Sequence, residues 1–499
     1  METDWLKRLN QLKPANLALT DGETAETLTY RDLYRWSLSL ASRLNKLNIK
    51  TGDRVSCLAS NSLEYVALFF ALQRLGAVLV PINFRLTARE VDHIVSDSDS
   101  KVLFYEPQFL EIVENLKHRP HNILPLTGSE GVRQSFKDGQ EQYTEFKGQS
   151  DDAVMILYTS GTTGFPKGAI LTHKMLFWNS VNTALSIDLS EKDCAVIFLP
   201  FFHTGGWNVL TTPFFHRGGH IVLLKKFDPG AVLALSARYR ATLLFGVPTT
   251  MEMMSRTHHF NEIDLSWIRY AIVGGEPMPV PLIEKWHAKQ IPIRQGYGLT
   301  EFGPNVFSLH HSDVVKKAGS IGFPNFYVHT KVVDASGKPV AAGEIGELLL
   351  QGPMMMQGYW KNPTATAETI KDGWLHTGDL VRFDSEGYFY VVGRKKEMFI
   401  SGGENVYPAE VEQVISQMPG VREVAVVGVP DSKWGEVGLA FVVTDFPMTE
   451  TQVLDYAKGN LAKFKIPKAI QFVDSLPKGE SGKILKKSLK ELAVPTSHN

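Results

Sequence analysis

Cysteine is nearly missing from this chain: Cys57 and Cys194 are the only two in 499 residues, and they form no CxxC pair. Neither a disulfide framework nor a thiolate metal site can be built from them, and a reducing cytoplasm is the compartment that fits. A targeting or membrane-spanning run is also lacking. The opening residues, METDWLKRLNQLKPAN, are charged throughout, and no later stretch is apolar over the length a bilayer requires. The expectation is a soluble protein with no integral membrane segment. An excess of one charge is missing too: 52 Lys and Arg face 53 Asp and Glu, a formal net charge of -1. Nothing global therefore favours nucleic acid or an anionic surface, and any phosphate site must be local. There is no fixed-period repeat, no low-complexity tract and no GxSxG elbow of a serine hydrolase.

What is present is an ordinary globular composition, 43% hydrophobic and 21% charged, in a chain long enough for two or more folding units. Helical spacing over Tyr30 to Leu47 gives way to the strand-like DRVSCLAS. The pair EYVALFFALQRLGA and VLVPIN repeats the pattern, and AVIFLP, HIVLLKKF, ATLLFGVP and YAIVGG continue it. This alternation predicts a layered α/β fold. Residues 116–150 are polar and read as a loop or excursion. From about Gly387 the texture changes to a short strand, a charged Gly-rich connection and a helix starting at Pro408 with Glu410 and Glu412 behind it. The segments VREVAVVGVP, LAFVVTDF, TQVLDYAKGNLA and AIQFVDSL would complete a small α+β unit. The expected domains are residues 1–395 and 396–499, with a hinge at Lys396.

Four signals carry chemistry. YTSGTTGFPKG, Tyr158 to Gly168, lies between the apolar runs AVMIL and AILTH. Its small hydroxyl residues and glycines let backbone N–H and side-chain O–H groups close around phosphate oxygens, and Lys167 adds a cation. A ligand-free hairpin turn would not need so many small residues in a row closed by a lysine. It is no Walker A loop, because Pro166 precedes the lysine, Gly168 follows it, and both flanks read as strand. QGYGLTE, Gln295 to Glu301, follows AIVGGEP, Ala271 to Pro277. An aromatic beside glycine can stack on a purine, and a threonine and a carboxylate just beyond can meet an α-phosphate and its Mg2+. A dinucleotide GxGxxG fails here because position 301 is Glu. WLHTGDL, Trp374 to Leu380, with GRKKE at 393–397, offers Asp379 to accept both ribose hydroxyls and Arg394 to bridge ribose and carboxylate. Finally, LPKGESGKILKK places Lys483 in a Gly- and Ser-rich loop that could carry an ammonium into a closed site.

In this order, and nearly end to end, the motifs resemble the adenylate-forming superfamily of acyl-CoA synthetases, luciferase-like enzymes and peptide-synthetase adenylation domains. The resemblance implies a large multi-layer N-terminal domain with α/β sheets and a β-barrel-like subdomain, plus a small mobile α+β C-terminal domain. It implies that Thr159, Ser160, Gly161, Thr162, Thr163, Gly164 and Lys167 hold the β- and γ-phosphates of ATP. Tyr297 would stack on adenine, with Gln295, Gly296 and the Gly275-Glu276-Pro277 backbone at its edge. Thr300 would meet the α-phosphate, Glu301 would ligate Mg2+, and Lys483 would be the catalytic lysine of the first half-reaction. The small domain would then pivot about Lys396, withdrawing Lys483 and presenting Ser401, Gly402 and Gly403 to pantetheine; two glycines suit that close approach.

By the same resemblance, LPFFHTGGWNVL sets His203, Thr204, Gly205, Gly206, Trp207 and Asn208 near the acid, with Val247, Pro248 and Thr249 close by. His203 serves as gate or carboxylate contact. Peptide-synthetase domains keep an aspartate where this chain has His203 or Thr204, which argues against an α-amino acid and favours a fatty or aryl acid. The implied reaction is ATP-dependent formation of acyl-AMP followed by a coenzyme A thioester, with AMP and pyrophosphate released. The alternatives are an enzyme loading a carrier protein and a luciferase-like oxygenase. Asp474-Ser475-Leu476 superficially resembles a phosphopantetheine attachment site but leads straight into the Lys483 loop. The resemblance leaves room for a homodimer. The pairs His258-His259 and His310-His311 read as surface residues and not as a metal site.

Overall fold

A helix that is apolar on every side must be covered on every side, and Leu63–Leu75 (LEYVALFFALQRL) is buried at each position. Ser62 caps its start by accepting from the Tyr65 N–H, and Gly76, at φ +66°, ends it in the left-handed conformation. Arg74 is buried only because its guanidinium donates to Ser37 and pairs with Asp4 at 2.8 Å. The computed structural model describes residues 2–137, 148–159, 166–478 and 484–493. The chain falls into two compact units, Met1–His329 with Leu350–Leu375, and Thr330–Leu349 with His376–Asn499. Among the described residues no helix is long and apolar enough to cross a membrane.

The larger unit holds two twisted sheets. One runs in the order Asn122–Pro125, Ser100–Tyr105, Arg54–Leu58, Val78–Pro81, Ala153–Thr159, Lys167–Thr172. Its neighbours are parallel except the last pair, which closes as an antiparallel hairpin. The other sheet has the parallel strands Ile293–Tyr297, Tyr270–Val273, Leu243–Gly246, Cys194–Ile197, His220–Leu223 and Leu17–Asp21 side by side. Antiparallel strands flank these on both sides. The helices cover the faces, as parallel strands require. One edge strand departs from expectation: within the polar stretch 116–150, Asn122–Pro125 pairs in parallel with Val102–Tyr105, and Val132–Lys137 forms a 3-10 turn. Backbone pairing supplied by an existing edge made a strand that side-chain patterning did not announce.

In the smaller unit, Trp374–Phe383 pairs antiparallel with Phe389–Arg394, beside Gly346–Gln351 and His329–Val333. Among the described residues no sheet closes on itself, and the barrel-like element takes the form of an open sheet. Beyond it, Val421–Asp431, Gly435–Thr444 and Ala469–Phe472 form the α+β layer with the short hairpin Phe399–Ser401 and Glu404–Val406. That hairpin occupies what the sequence suggested was only a connection. Alternation along Val424–Val427 sends Val424 and Val426 to the face covered by Val411, Ile415 and Val453, and Ala425 and Val427 to the face covered by Leu476 and Leu489.

Both cysteines are free and buried. Burial pushes the Cys194 thiol up to about 12 and that of Cys57 higher still. Three histidines of the larger unit, buried His173 and half-buried His216 and His220, move the other way. His173, His216, which bonds Ser180 at 2.8 Å, and His220, which bonds Thr20 at 2.8 Å, are each held down at about 4 by loss of solvent. They are neutral when folded and take up protons near their ordinary 6.5 when unfolded. Stability is therefore intact above about 6.5 and is lost as pH falls toward 4, at about 1.4 kcal/mol per pH unit per histidine. Urea titrations between pH 7 and 5 should show this slope, and His216→Asn and His220→Gln should each flatten it by about one proton's worth. An unchanged slope would mean the ring is already charged in the folded protein.

Candidate active site

The hairpin expected to hold phosphate stands on two strands. Thr159 stands opposite Lys167 and Tyr158 opposite Gly168. Ser160, Gly161, Thr162, Thr163 and Gly164 lie outside the described residues. Glycine at 168 is a packing necessity, since a Cβ there would sit 2.6 Å from Ile156 and 3.2 Å from the Tyr158 ring. The Tyr158 hydroxyl donates to Asp97 at 2.5 Å, and burial, then that carboxylate, raises its pKa far above the ordinary range. The backbone carbonyl of Asp97 accepts from the Trp360 indole and the Lys361 ammonium. Lys167 projects its ammonium 5.6 Å from the centre of the Tyr359 ring.

The second motif is a turn at the end of strand Ile293–Tyr297. Buried Gln295 spends its amide on the neighbouring loop, accepting from Met278 N at 3.1 Å and donating to the Glu276 carbonyl at 3.0 Å. It therefore shapes the Gly275–Pro277 backbone from behind. Gly275 adopts φ +87° and packs against Val247, which lies 3.5 Å from where a Cβ would stand. Half-buried Tyr297 meets Phe307 edge-on, and a Cβ at Gly296 would make only ordinary contacts, with Val273, Ile272 and Phe307 at 3.8 to 3.9 Å. At Gly298 a Cβ would fall 1.4 Å from the Pro304 carbonyl oxygen, so no other residue fits this turn. Thr300–Phe302 then form a single 3-10 turn, ended by Gly303 at φ +66°. The Glu301 carbonyl accepts from Met356 N at 2.9 Å, and its Oε1 accepts from the Tyr359 hydroxyl at 2.9 Å.

The acid-binding candidates separate. His203 is exposed, and its Nδ1 accepts from Gly205 N at 3.0 Å. Gly205–Val209 wind as a π-helical turn, a geometry that recurs at functional sites, and Gly206 is obligatory because a Cβ would lie 2.2 Å from the Pro200 oxygen. Trp207 is 0% exposed, stacked on Phe201 at 4.2 Å and packed by Tyr65 and Phe69, with its indole N–H unpartnered. The wide π-turn swings that ring into the core, which gives Trp207 a packing role. Asn208 is also fully buried; it donates to Thr204 and accepts from Thr212. Its carbonyl takes Asn179 at 2.6 Å and Asn305 at 3.2 Å. Asn305 N in turn donates to Asn179 Oδ1. Asn179 and Asn305, absent from the sequence-based set, thus tie the 203–208 segment to the turn that carries Glu301. The signal available was a polar run, Asn179, Asn182 and Thr183, on one side of the helix His173–Ile187. Val247 caps the helix Pro248–Ser255, with Pro248 buried at its first position.

In the smaller unit, Asp379 and Arg394 face each other across the strand pair, with Nε 2.9 Å from Oδ1 and the Asp379 side chain 6% exposed. Thr377 fixes the approach by donating to the Leu348 carbonyl at 2.7 Å and accepting from Asp379 N at 3.0 Å. Ser401, Gly402 and Gly403 form the hairpin turn, at φ +60° and +88° for the glycines. Gly402 lies against half-exposed Trp434, its N–H donating to the Trp434 carbonyl, while a side chain at 403 would meet nothing. Lys483 lies outside the described residues. Just beyond it, Lys486 pairs with Glu412 at 2.8 Å and Glu397 at 3.2 Å, which anchors that loop's end beside Lys396. The attraction of the two carboxylates outweighs burial and raises the lysine's pKa. On the surface of the larger unit, His258, His259 and Glu262 bring their donor atoms within 4.8 Å of one another, all three exposed. The two adjacent histidines do converge: in the 3-10 turn His258–Phe260 their rings meet edge to face at 5.4 Å, and both reach Glu262, at 3.7 and 3.4 Å.

The AMP-binding enzyme family model matches residues 6–360, and the model for the AMP-binding enzyme C-terminal domain matches residues 410–483. A feruloyl-CoA synthase from Amycolatopsis is 40% identical over 484 residues, 97% of each chain. The long-chain-fatty-acid–CoA ligase FadD13 of Mycobacterium tuberculosis is 37% identical over 492 residues, again 97% of each. Among solved structures, the o-succinylbenzoate coenzyme A synthetase of Bacillus subtilis in complex with ATP and magnesium ion is similar, with a TM-score of 0.88 and 32% identity, over 98% of this chain and 99% of that one.

The Gly298 turn yields a direct test. Gly298→Ala should lower Tm by about 5 °C or more, because the methyl forces the 298–304 turn apart, and it should abolish the rise in Tm that ATP gives the parent protein. A variant with parental Tm and parental ATP response would contradict the turn geometry.

Proposed function

Because the chain belongs to the AMP-binding enzyme family and is an ATP-dependent acid–thiol ligase, we propose that it activates an aryl or fatty acid as its acyl-adenylate and passes the acyl group to coenzyme A. The observation that carries this reading is the convergence of the Lys167 ammonium and the Glu301 carboxylate on Tyr359, a cation for phosphate oxygens beside an oxygen donor for a hard metal ion. A half-buried carboxylate reached by a hydroxyl and no thiolate or imidazole suits Mg2+ over a softer metal. When bound at Glu301, Mg2+ would neutralise phosphate charge.

The roles of the chain's own groups follow. Thr159 and the small residues Ser160, Gly161, Thr162, Thr163 and Gly164 wrap the β- and γ-phosphates with Lys167. Tyr297 stacks on the base against the Gly275-Glu276-Pro277 backbone that Gln295 holds in place, and Thr300 meets the α-phosphate. Asp379, kept oriented by Arg394 and Thr377, accepts the ribose hydroxyls. The acid's carboxylate oxygen attacks the α-phosphorus and pyrophosphate leaves; Lys483 stabilises the charge that develops on both. The hinge at Lys396, between residues 1–395 and 396–499, then exchanges Lys483 for Gly402 and Gly403. The thiol sulfur attacks the acyl carbon and AMP departs. Histidine and threonine at 203 and 204, with Val247 and Pro248 nearby in the proposed pocket, supply no aspartate to hold an amino group, which supports an acid without an α-amino group. Two free, buried cysteines fit a cytoplasmic setting.

Lys483→Ala should lower acid-dependent pyrophosphate release by roughly 100-fold or more while leaving transfer from preformed acyl-AMP to coenzyme A within a few-fold of the parent. Equal loss of both half-reactions would remove the assigned role. Pyrophosphate release across a panel of aryl, fatty and amino acids, with and without coenzyme A, should respond to the first two classes only. Thioester formation should require coenzyme A.

A further inference from the structure

The run Met356–Trp360 is bonded on two sides at once. Its Met356 N–H holds the Glu301 carbonyl. Its other partners belong to the strand that leaves the phosphate hairpin: Gln357 N donates to Ile170 O at 3.2 Å, Ile170 N to Gly358 O at 2.9 Å, and Trp360 N to Gly168 O at 2.7 Å. Tyr359 pairs with Ala169 at the middle of this bridge. The backbone of Tyr359 is itself pinned, its N–H donating to Thr366 Oγ1 at 2.9 Å, and that hydroxyl donates to the Asn362 carbonyl. A side chain mounted so rigidly can set the geometry of what it touches. Two of the groups Tyr359 meets are charged: its hydroxyl reaches Glu301 Oε1 at 2.9 Å and its ring face lies 5.6 Å from Lys167 Nζ.

We propose that Tyr359 is a positioning residue that couples the two ends of the triphosphate machinery. Its hydroxyl commits Oε1 of Glu301 and so fixes the carboxylate with Oε2 as the oxygen for a divalent cation. Its ring holds the Lys167 ammonium by cation–π attraction in the orientation phosphate oxygens require. Order in both groups before the nucleotide arrives lowers the cost of binding them together. The proposal rests on the reading of Glu301 and Lys167 as nucleotide groups.

The test uses the full-length enzyme and measures acid-dependent pyrophosphate release as Mg2+ is varied at fixed ATP. Tyr359→Phe keeps the ring and loses the hydroxyl, so the Mg2+ concentration for half-maximal rate should rise about 5- to 20-fold with the KM for the acid unchanged. Tyr359→Leu should raise the KM for ATP as well, since the face beside Lys167 is gone. Transfer from preformed acyl-AMP to coenzyme A should match the parent in both. These half-saturation values belong to the folded fraction, so a stability loss alone leaves them in place. Parental Mg2+ dependence in Tyr359→Phe, or a uniform fall in kcat for both half-reactions, would overturn the proposal. Glu301→Gln separates the two levels. If it shifts the Mg2+ requirement and Tyr359→Phe does not, positioning by Tyr359 fails alone; if Glu301→Gln has no effect, the metal role of Glu301 fails and the proposal goes with it.

Discussion

The chemistry of the larger unit depends on one short backbone pairing, that of Gly168–Ile170 with Gln357–Trp360. The hairpin proposed to bind phosphate is only as well placed as the strand on which it stands. Here that strand is gripped on one side by Ala153–Thr159 and on the other by a run whose Met356 N–H also bonds the Glu301 carbonyl. The charges proposed for phosphate and for metal are therefore referred to a single frame. The demand for glycine at 298 and 303 belongs to the same constraint, since Gly298 passes against the Pro304 carbonyl and Gly303 reverses the chain beside Asn179 and Met354.

A second layer, fully buried at Asn179 and Asn208 and half-buried at Asn305, supports this frame. Asn179, Asn208 and Asn305 link the π-turn to the Glu301 turn with backbone carbonyls as partners. Buried amides are costly unless satisfied, and a satisfied network holds one arrangement against its competitors. The smaller unit uses a different device. There, cross-strand register sets Asp379 against Arg394, and Lys486 anchors the end of the Lys483 loop to two carboxylates.

How much of this was legible depends on where the information lies. The hairpin flanks, the parallel strands and the helix Leu63–Leu75 announce themselves through local apolar pattern, and the structure has them where periodicity puts them. The helix at Pro408 follows from its proline and acidic first turn. Asp379 and Arg394 were recognisable as a pair, and register opposes them. The strand Asn122–Pro125 was not legible because an edge created it. Trp207 stood in a segment that promised ligand contact, but the π-turn rotates it into an aromatic cluster, a result of backbone geometry that spacing alone does not encode. Gln295, expected at the edge of the base, bonds the loop beside it, a partnership that spacing did not announce. Tyr359, in an unremarkable QGYWKN, gains its meaning only from partners far away in sequence, Lys167 and Glu301.

The two cysteines have a consequence for an enzyme whose acceptor is a thiol. An acyl-adenylate acylates whatever sulfur it meets in thiolate form, and reactivity follows the thiolate. Cys57 and Cys194 are sealed in the interior and kept protonated by it. Neither competes for the activated acid, and neither is open to capture as a mixed disulfide with the acceptor. The protein's own sulfur chemistry is silent, so the only nucleophilic sulfur on offer is the one the acceptor brings.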